Sequence, residues 1–251
     1  MPYTILTIVE GDEGDGLLYP RLADDDSVLR EEGDGRRADR FRGTNLTARL
    51  LLGPDRFKNL AESRKVKADV IVTMSRVAVS CAKFDKGGGW VPLGGIASGV
   101  VALGLNAGSK LRAAKRSRNK VLVGHVRYPW LAYVGRWSNA VLRAQTLRLG
   151  VVVSLPNNGS GSLLLDIGLP MSVNIDALAL SIAQQAAFYH LHYSPLPDEA
   201  RRVMLALTTT PPPMQVDPKG GFSGYRIPWC LPVSTESAVP SVPPQTETGS
   251  F

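Results

Sequence analysis

Between Asn45 and Leu169 the chain returns again and again to short runs of β-branched and leucine residues, and only afterwards takes up a helical period. That order constrains the fold more than any other feature. NLTARLLLG sets Leu46, Ala48 and Leu50 on alternate positions, the two-residue period of a half-buried strand, and Gly53-Pro54 closes it. ADVIVTMSRVAVSCAKF holds two such runs, Val70 to Thr73 and Val77 to Cys81, split by Met74-Ser75-Arg76. Stiff β-branched side chains lose little in a pleated strand, so the segment reads as a hairpin, although its turn has neither Gly nor Asn. VLVGHVRY, LAYVG and TLRLGVVVSL continue the pattern on either side of Tyr128-Pro129-Trp130. The turn Pro156 to Gly161 then leads into LLLDIGL and is the strongest hairpin signal in the chain.

The period changes after residue 170. Asn174 suits an N-cap, and Ile175, Leu178, Ile182, Ala186 and Tyr189 recur at helical spacing, so a helix is predicted to end near Tyr193, ahead of Pro195 and Pro197. Asp198 to Leu207 predicts a second, short helix. The expected fold class is therefore mainly β with a closing α-helix. Its expected organisation is an acidic N-terminal arm over 1–43 and a domain over 44–193 with a glycine-rich and basic helical insertion at 91–119. A short helical extension over 194–208 and a disordered Pro/Ser/Thr-rich tail over 209–251 complete it. No internal repeat is found.

Charge is segregated along the chain. The net charge is +7, yet the first 39 residues carry eleven acids against four arginines, and no acid occurs between Asp85 and Asp166. That interval holds eleven Lys and Arg residues, six of them packed into Lys110, Arg112, Lys115, Arg116, Arg118 and Lys120. Such asymmetry points to an anionic partner or to an internal contact between the acidic and basic stretches. The apolar run just before the six cations, from Val91, falls short of the ~20 residues that span hydrocarbon as a helix. Apolar residues followed directly by cations suit a segment lying at an anionic membrane surface, where each cation contributes about 1 kcal/mol. Gly95 and Gly99 form a GxxxG that would let a second helix approach closely.

Several chemistries lack their residues. Cys81 and Cys230 have no metal-ligand neighbours and form no CxxC. On a helix His190 and His192 point about 200° apart and cannot share a metal, and His125 lies in a strand with no sequence-adjacent acid or nucleophile. GLNAGSK, Gly104 to Lys110, misses the phosphate-loop spacing, because three residues separate its glycines and Ser109 intervenes before the lysine. Tyr128, Trp130, Tyr133 and Trp137 could stack bases, but strand-like flanks assign them to the core or a turn, which disfavours nucleic acid as a partner. The N-terminus MPYTILTIVEGDEGDG has no basic region followed by an apolar run, so the expected compartment is cytoplasmic, with peripheral membrane contact. The N-x-[ST] matches at Asn45 and Asn158 then carry no meaning.

The hairpin VIVTMSRVAVSCAKF with Thr73 and Arg76 at its turn, Trp90, and the late helix Ile175 to Tyr193 together resemble the pleckstrin-homology-like domains, particularly the GRAM-type and bacterial versions, over about residues 44–193. The resemblance implies a bent β-barrel plugged by the helix, with loops at the other end that bind lipid head groups, peptides or proteins. Two departures stand out. The insertion at 91–119 is foreign to a small barrel, and the basic spacing Lys110-x5-Arg116-Ser117-Arg118 lies in that insertion and not in the first hairpin, so no binding role transfers with it.

The sequence thus predicts a non-enzymatic binding or adaptor module that meets an anionic membrane surface or lipid through the six cations from Lys110 to Lys120. Its alternative is a protein–protein scaffold whose acidic arm covers the basic surface. A cryptic enzyme built around His125 ranks below both. No catalytic residue, metal ligand or cofactor is assigned.

Overall fold

The computed structural model describes residues 6–10, 39–43, 45–52, 56–63, 68–73, 75–81, 90–92, 120–138, 145–155, 159–217 and 222–234. The strands in chain order are β1 (Leu6–Glu10), β2 (Asp39–Gly43), β3 (Asn45–Leu51), β4 (Arg56–Ser63), β5 (Ala68–Val72), β6 (Arg76–Cys81) and β7 (Trp90–Pro92). They continue with β8 (Lys120–Arg127), β9 (Leu131–Ser138), β10 (Gln145–Leu155) and β11 (Gly159–Leu169). Two helices follow, α1 (Ile175–Tyr193) and α2 (Asp198–Thr209), and then β12 (Gln215–Asp217), β13 (Phe222–Arg226) and β14 (Val233–Ser234). The chain is mainly β with helices late in its length, as its periodicity predicts.

The strands form two sheets. A small antiparallel sheet has the order β1-β8-β6-β5-β2, and a large one runs β12-β13-β9-β10-β11-β3-β4-β7. Short β14 joins β10 in parallel at Val153 and Ser154, past the point where β10 has finished pairing with β9. Among the described residues the two sheets do not close into a barrel, which corrects the closed form that a pleckstrin-homology-like fold implies. The chain crosses from one sheet to the other at Tyr128-Pro129-Trp130, a 3-10 turn between β8 and β9. Pro129 has no amide to donate to a ladder, so a continuous strand through this point is disfavoured.

The β5–β6 hairpin shows how its turn forms without Gly or Asn. The Thr73 hydroxyl accepts from the amides of Ser75 at 3.2 Å and Arg76 at 3.0 Å, and the Thr73 amide donates to the Arg76 carbonyl at 2.9 Å. A Thr side chain thus does locally what a glycine backbone would otherwise do. The long β10–β11 hairpin stays in register from Gln145 opposite Leu169 to Leu155 opposite Gly159.

Alternation then sorts the side chains. Leu46, Ala48, Leu50, Leu147, Leu149, Leu165 and Ile167 are all buried on one face of the large sheet. With Val70, Val79 and Leu122 of the small sheet they belong to one continuous hydrophobic core, each fully buried leucine contributing about 2 kcal/mol. Helix α1 completes that core with a small-residue stripe, Ala179, Ala183, Ala186 and Ala187, all fully buried, which lets its backbone sit close to β9 and β13. The Asn174 side chain caps it, accepting from the Ala177 amide at 3.1 Å, and Asp176 in its first turn suits the positive end of the helix dipole. Helix α2 packs back on α1 through Ala200, Met204 and Leu207.

Two stretches expected to lie outside the fold supply strands to it. The segment 209–251 contains β12, β13 and β14, and β13 pairs with β9 from Phe222 opposite Trp137 to Arg226 opposite Tyr133. Its prolines and serines suggest disorder, but Tyr225, Ile227 and Val233 are buried, and that apolar area outweighs the composition. Within 1–43, β1 pairs with β8 and β2 pairs with β5, and β1 and β2 are the two edge strands of the small sheet; residues 11–38, the acidic stretch of the expected arm, lie outside the described residues. Of the insertion, the strand β7 pairs with β4; residues 93–119 lie outside the described residues.

Candidate functional site

The face of the large sheet turned away from α1 is built from the same strands by the same alternation, and its composition is of another kind. Across its middle row run Gly224 of β13, Gly135 of β9, Arg148 of β10, Asp166 of β11 and Thr47 of β3, each opposite the next. The neighbouring row is Arg226, Tyr133, Gly150, Leu164 and Arg49. Asp166 is the first acid after the long basic interval, and it is 5% exposed. Arg148 grips it with two parallel bonds, Nε to Oδ1 at 2.6 Å and Nη2 to Oδ2 at 2.9 Å, and Arg49 reaches the same Oδ2 diagonally from β3. Such forked guanidinium–carboxylate bonds are directional as well as strong. Both arginines also lie over the Trp137 ring, Arg148 at 4.8 Å and Arg49 at 5.8 Å from its centroid.

Glycines make room for the rings on this face. A side chain at Gly150 would run into the Tyr133 ring, and one at Gly224 would stand 2.7 Å from Phe222 Cζ. Tyr133 and Phe222 meet edge to face, centroids 5.1 Å apart at 74°. Burial pushes the Tyr133 hydroxyl up to about 12, against the pull of Arg148 and with the help of Asp166. The phenol therefore stays protonated at every physiological pH. Arg226, at the end of β13, is exposed.

A second polar group of residues sits inside, where the crossover turn meets α1. Tyr128 is fully buried, and its hydroxyl contacts the Thr73 carbonyl and lies 2.9 Å from Gln185 Oε1. One hydroxyl proton serves one acceptor, so donation to Thr73 leaves the Gln185 amide to turn its NH2 toward the phenol oxygen. His190 is also fully buried; its Nε2 lies 3.2 Å from the Tyr128 carbonyl and its Nδ1 2.9 Å from Ser194 Oγ. A carbonyl only accepts, so Nε2 carries the proton and Nδ1 receives the Ser194 hydroxyl. Burial pushes His190 below the ordinary histidine range, with the Tyr128 bond opposing in part. This network ties the small-sheet hairpin, the crossover turn and the helix together, and every member has a structural partner.

The remaining candidates are dispersed. His125 is buried in β8 against Trp130, ring centroids 5.8 Å apart. His192 is exposed beside Phe188. Among the described residues no group of three His, Cys, Asp or Glu side chains is placed to hold a metal, and no helix is long and apolar enough to cross a membrane. A cleft of about 300 Å³ opens at the start of α1, where Arg136 donates to Asp176 at 3.2 Å. Of the six predicted site residues, Lys120 opens β8 and stands opposite Glu10 at the end of β1; Lys110, Arg112, Lys115, Arg116 and Arg118 lie outside the described residues, as do Gly104 to Lys110 and the GxxxG.

Comparison with known protein families, with characterised proteins and with solved structures finds no match to this chain. The sequence reading missed the Arg49–Arg148–Asp166 cluster, because its members are far apart in the chain and meet only through strand register. It also grouped four aromatics together: Tyr128 is in the core and Trp130 packs against it, whereas Tyr133 and Trp137 are half-buried on the opposite face of the sheet. The usable signal was local, an outward Tyr-x-Gly-x-Trp in 133–137 and Phe-x-Gly-x-Arg in 222–226.

Proposed function

We propose that the chain is a non-catalytic binding module, an adaptor that meets an anionic lipid surface through Lys110, Arg112, Lys115, Arg116, Arg118 and Lys120. The observation that carries this reading is the charge order: an apolar segment, then six cations, within an interval of eighty residues that has no acid. Lys120, the last of the six, is the first residue of β8, in the small sheet, which supports it. The resemblance of the β5–β6 hairpin and late helix to pleckstrin-homology-like domains points the same way, with peripheral attachment from the cytoplasmic side. Six cations at about 1 kcal/mol each give a Kd of roughly tens of micromolar before screening. Co-sedimentation with phosphatidylcholine vesicles, with and without phosphatidylserine, tests it. Binding should require the anionic lipid, weaken with salt, and vanish when the six residues are reversed to Glu; equal binding to neutral vesicles would overturn it.

A second reading, a scaffold whose acidic arm covers the basic cluster, has its own support. Strand β1 ends at Glu10, directly opposite Lys120, so the acidic stretch 11–38 begins beside the point where the basic cluster ends. Because β1 and β2 are strands of the small sheet, the arm is best tested without deletion. Changing Asp12, Glu13, Asp15, Asp24, Asp25, Asp26, Glu31, Glu32 and Asp34 to their amides should raise binding to anionic vesicles, and unchanged binding would count against the covering contact.

A further inference from the structure

We propose that an aromatic ridge on the last two turns of α1 is a docking surface for a proline-rich segment, and that its occupant is the chain's own stretch from Val239 to Pro244. Near its end α1 buries Ala183, Ala186, Ala187 and His190, so Phe188, His192 and Tyr193 lie outside the core. Phe188 is 47% exposed and Tyr193 57%, His192 is exposed, and Tyr189 is half-buried beside them. The Phe188 and His192 rings, one turn apart, lie 4.0 Å from each other, and Tyr189 and Tyr193 repeat the pairing at 5.0 Å. His192 and Tyr193 join the two pairs at 6.2 Å. Side chains four residues apart form ridges on a helix, with a groove between neighbouring ridges; here both ridges are aromatic. A single exposed apolar residue is ordinary on a protein surface, but four rings in one chain of contacts are not.

Charge and chemistry narrow the occupant. From Ala177 to Tyr193 the helix has no Asp, Glu, Lys or Arg, so it offers no counter-charge to the acidic stretch 11–38 or to the basic cluster. Aromatic rings along a groove suit a polyproline II segment, whose fixed backbone loses little entropy on docking. Residues 237–245, SAVPSVPPQ, carry no charge and hold the spacing Pro240-x-x-Pro243. The other uncharged stretch, 91–109, has a single proline, Pro92, and that residue is held in β7 opposite Arg56. The chain also delivers 237–245 to the right end of the helix. The Leu231 amide donates to the Pro129 carbonyl at 2.6 Å, and His190 Nε2 donates to the Tyr128 carbonyl at 3.2 Å. Leu231 and the last turns of α1 therefore meet at adjacent residues of the crossover turn. Pairing with β10 then holds the chain as far as Ser234. Pro240 follows six residues later, about 19 Å of polyproline II, which exceeds the roughly 10 Å back from Ser234 to Leu231. The inference is independent of the membrane reading and uses none of its residues.

Fluorescence anisotropy tests it, with a labelled SAVPSVPPQTE peptide titrated against forms of the full chain. In the unchanged chain the tethered segment and the peptide compete for one groove. A short tether gives a local concentration of about 1 mM, so for a peptide Kd of about 100 µM the tethered segment should weaken peptide binding about tenfold. A chain carrying Pro240→Ser, Pro243→Ser and Pro244→Ser should bind the peptide at its full affinity. Adding Phe188→Gln and Tyr193→Gln to that chain, with an unchanged circular dichroism spectrum, should abolish the binding. Phe188→Leu in place of that pair keeps apolar area and removes a ring, and should weaken binding about threefold. Equal affinity for the unchanged and the serine-substituted chains overturns the proposal. So does an absence of binding to the serine-substituted chain up to roughly 1 mM peptide, or binding that survives the loss of both rings. Sedimentation at about 5 to 200 µM protein places the contact within one chain, because the unchanged protein should then sediment independently of concentration. A dimer that the three serine changes dissolve would put the segment on a second copy and overturn the contact in cis.

Discussion

Leu149 and Arg148 are neighbours in one strand, and they belong to different physical regimes. On the inner face of the large sheet Leu147, Leu149, Leu165 and Ile167 are sealed in a core that also takes in the small sheet and α1. On the outer face Arg148, Asp166, Tyr133 and Trp137 hold one another through charge, hydrogen bonds and ring contacts. The inner face is held by area removed from water, the outer face by a few directional contacts. The first tolerates salt and forgives small errors of angle; the second depends on every partner being present.

That contrast can be broken by mutation, and the inner face should give the largest effect. Leu149→Ala should lose about 3 kcal/mol in urea denaturation, with no dependence on ionic strength. Asp166→Asn comes next. It leaves two guanidinium groups side by side without their carboxylate, a loss of about 2 kcal/mol, less than for a fully enclosed pair because Arg49 keeps 25% exposure. Raising salt to 0.5 M or so should recover part of that loss by screening the two like charges, and a salt-independent loss would erase the distinction between the faces.

Gly150→Ala sharpens the comparison from another side. The new methyl displaces the Tyr133 ring, so stability should fall by about 1.5 kcal/mol, while a glycine valued only for its flexibility would give a small gain. Tyr128→Phe probes the polar contacts within the core. It strips the Thr73 carbonyl of its phenol partner and should cost about 1 kcal/mol. The smallest effect is the pH dependence from His190. Because burial lowers its folded pKa, the unfolded chain binds more protons between that value and the ordinary one near 6.5. Stability should therefore fall as pH drops through this window, level off below it, and lose that part of the slope in His190→Gln.

Strand positions were legible because each depends on neighbours within a few residues. Leu46, Ala48 and Leu50 announce their face by alternation, and Asn174 with the periodic apolar residues behind it announces α1. Register was not legible. Nothing near Asp166 in the chain says that Arg148 will stand opposite it or that Arg49 will reach it from β3. The C-terminal strands were hidden for a different reason. Between the prolines, Phe222 to Arg226 is too short to signal a strand by itself, and it becomes one only because β9 offers an edge with glycine at the matching position. The sequence also showed which end of the chain is acidic and which stretch is basic, but not that Glu10 and Lys120 would be cross-strand neighbours.

The pairing of β1 with β8 has a consequence for how the protein is made. β1 leaves the ribosome well before its partner, which is complete only once residue 127 has been added. At roughly 5–20 residues per second the strand must wait on the order of ten seconds with both edges bare. Its sequence, LTIVE, is apolar and β-prone, and the negative charge of the acids directly behind it opposes self-association of such a segment during the wait. The acidic stretch would then serve biogenesis as well as any later partner. Its neutralisation should cost yield during expression even where the finished fold is unharmed, and soluble yield at 18 and 37 °C, with and without added chaperone, measures it.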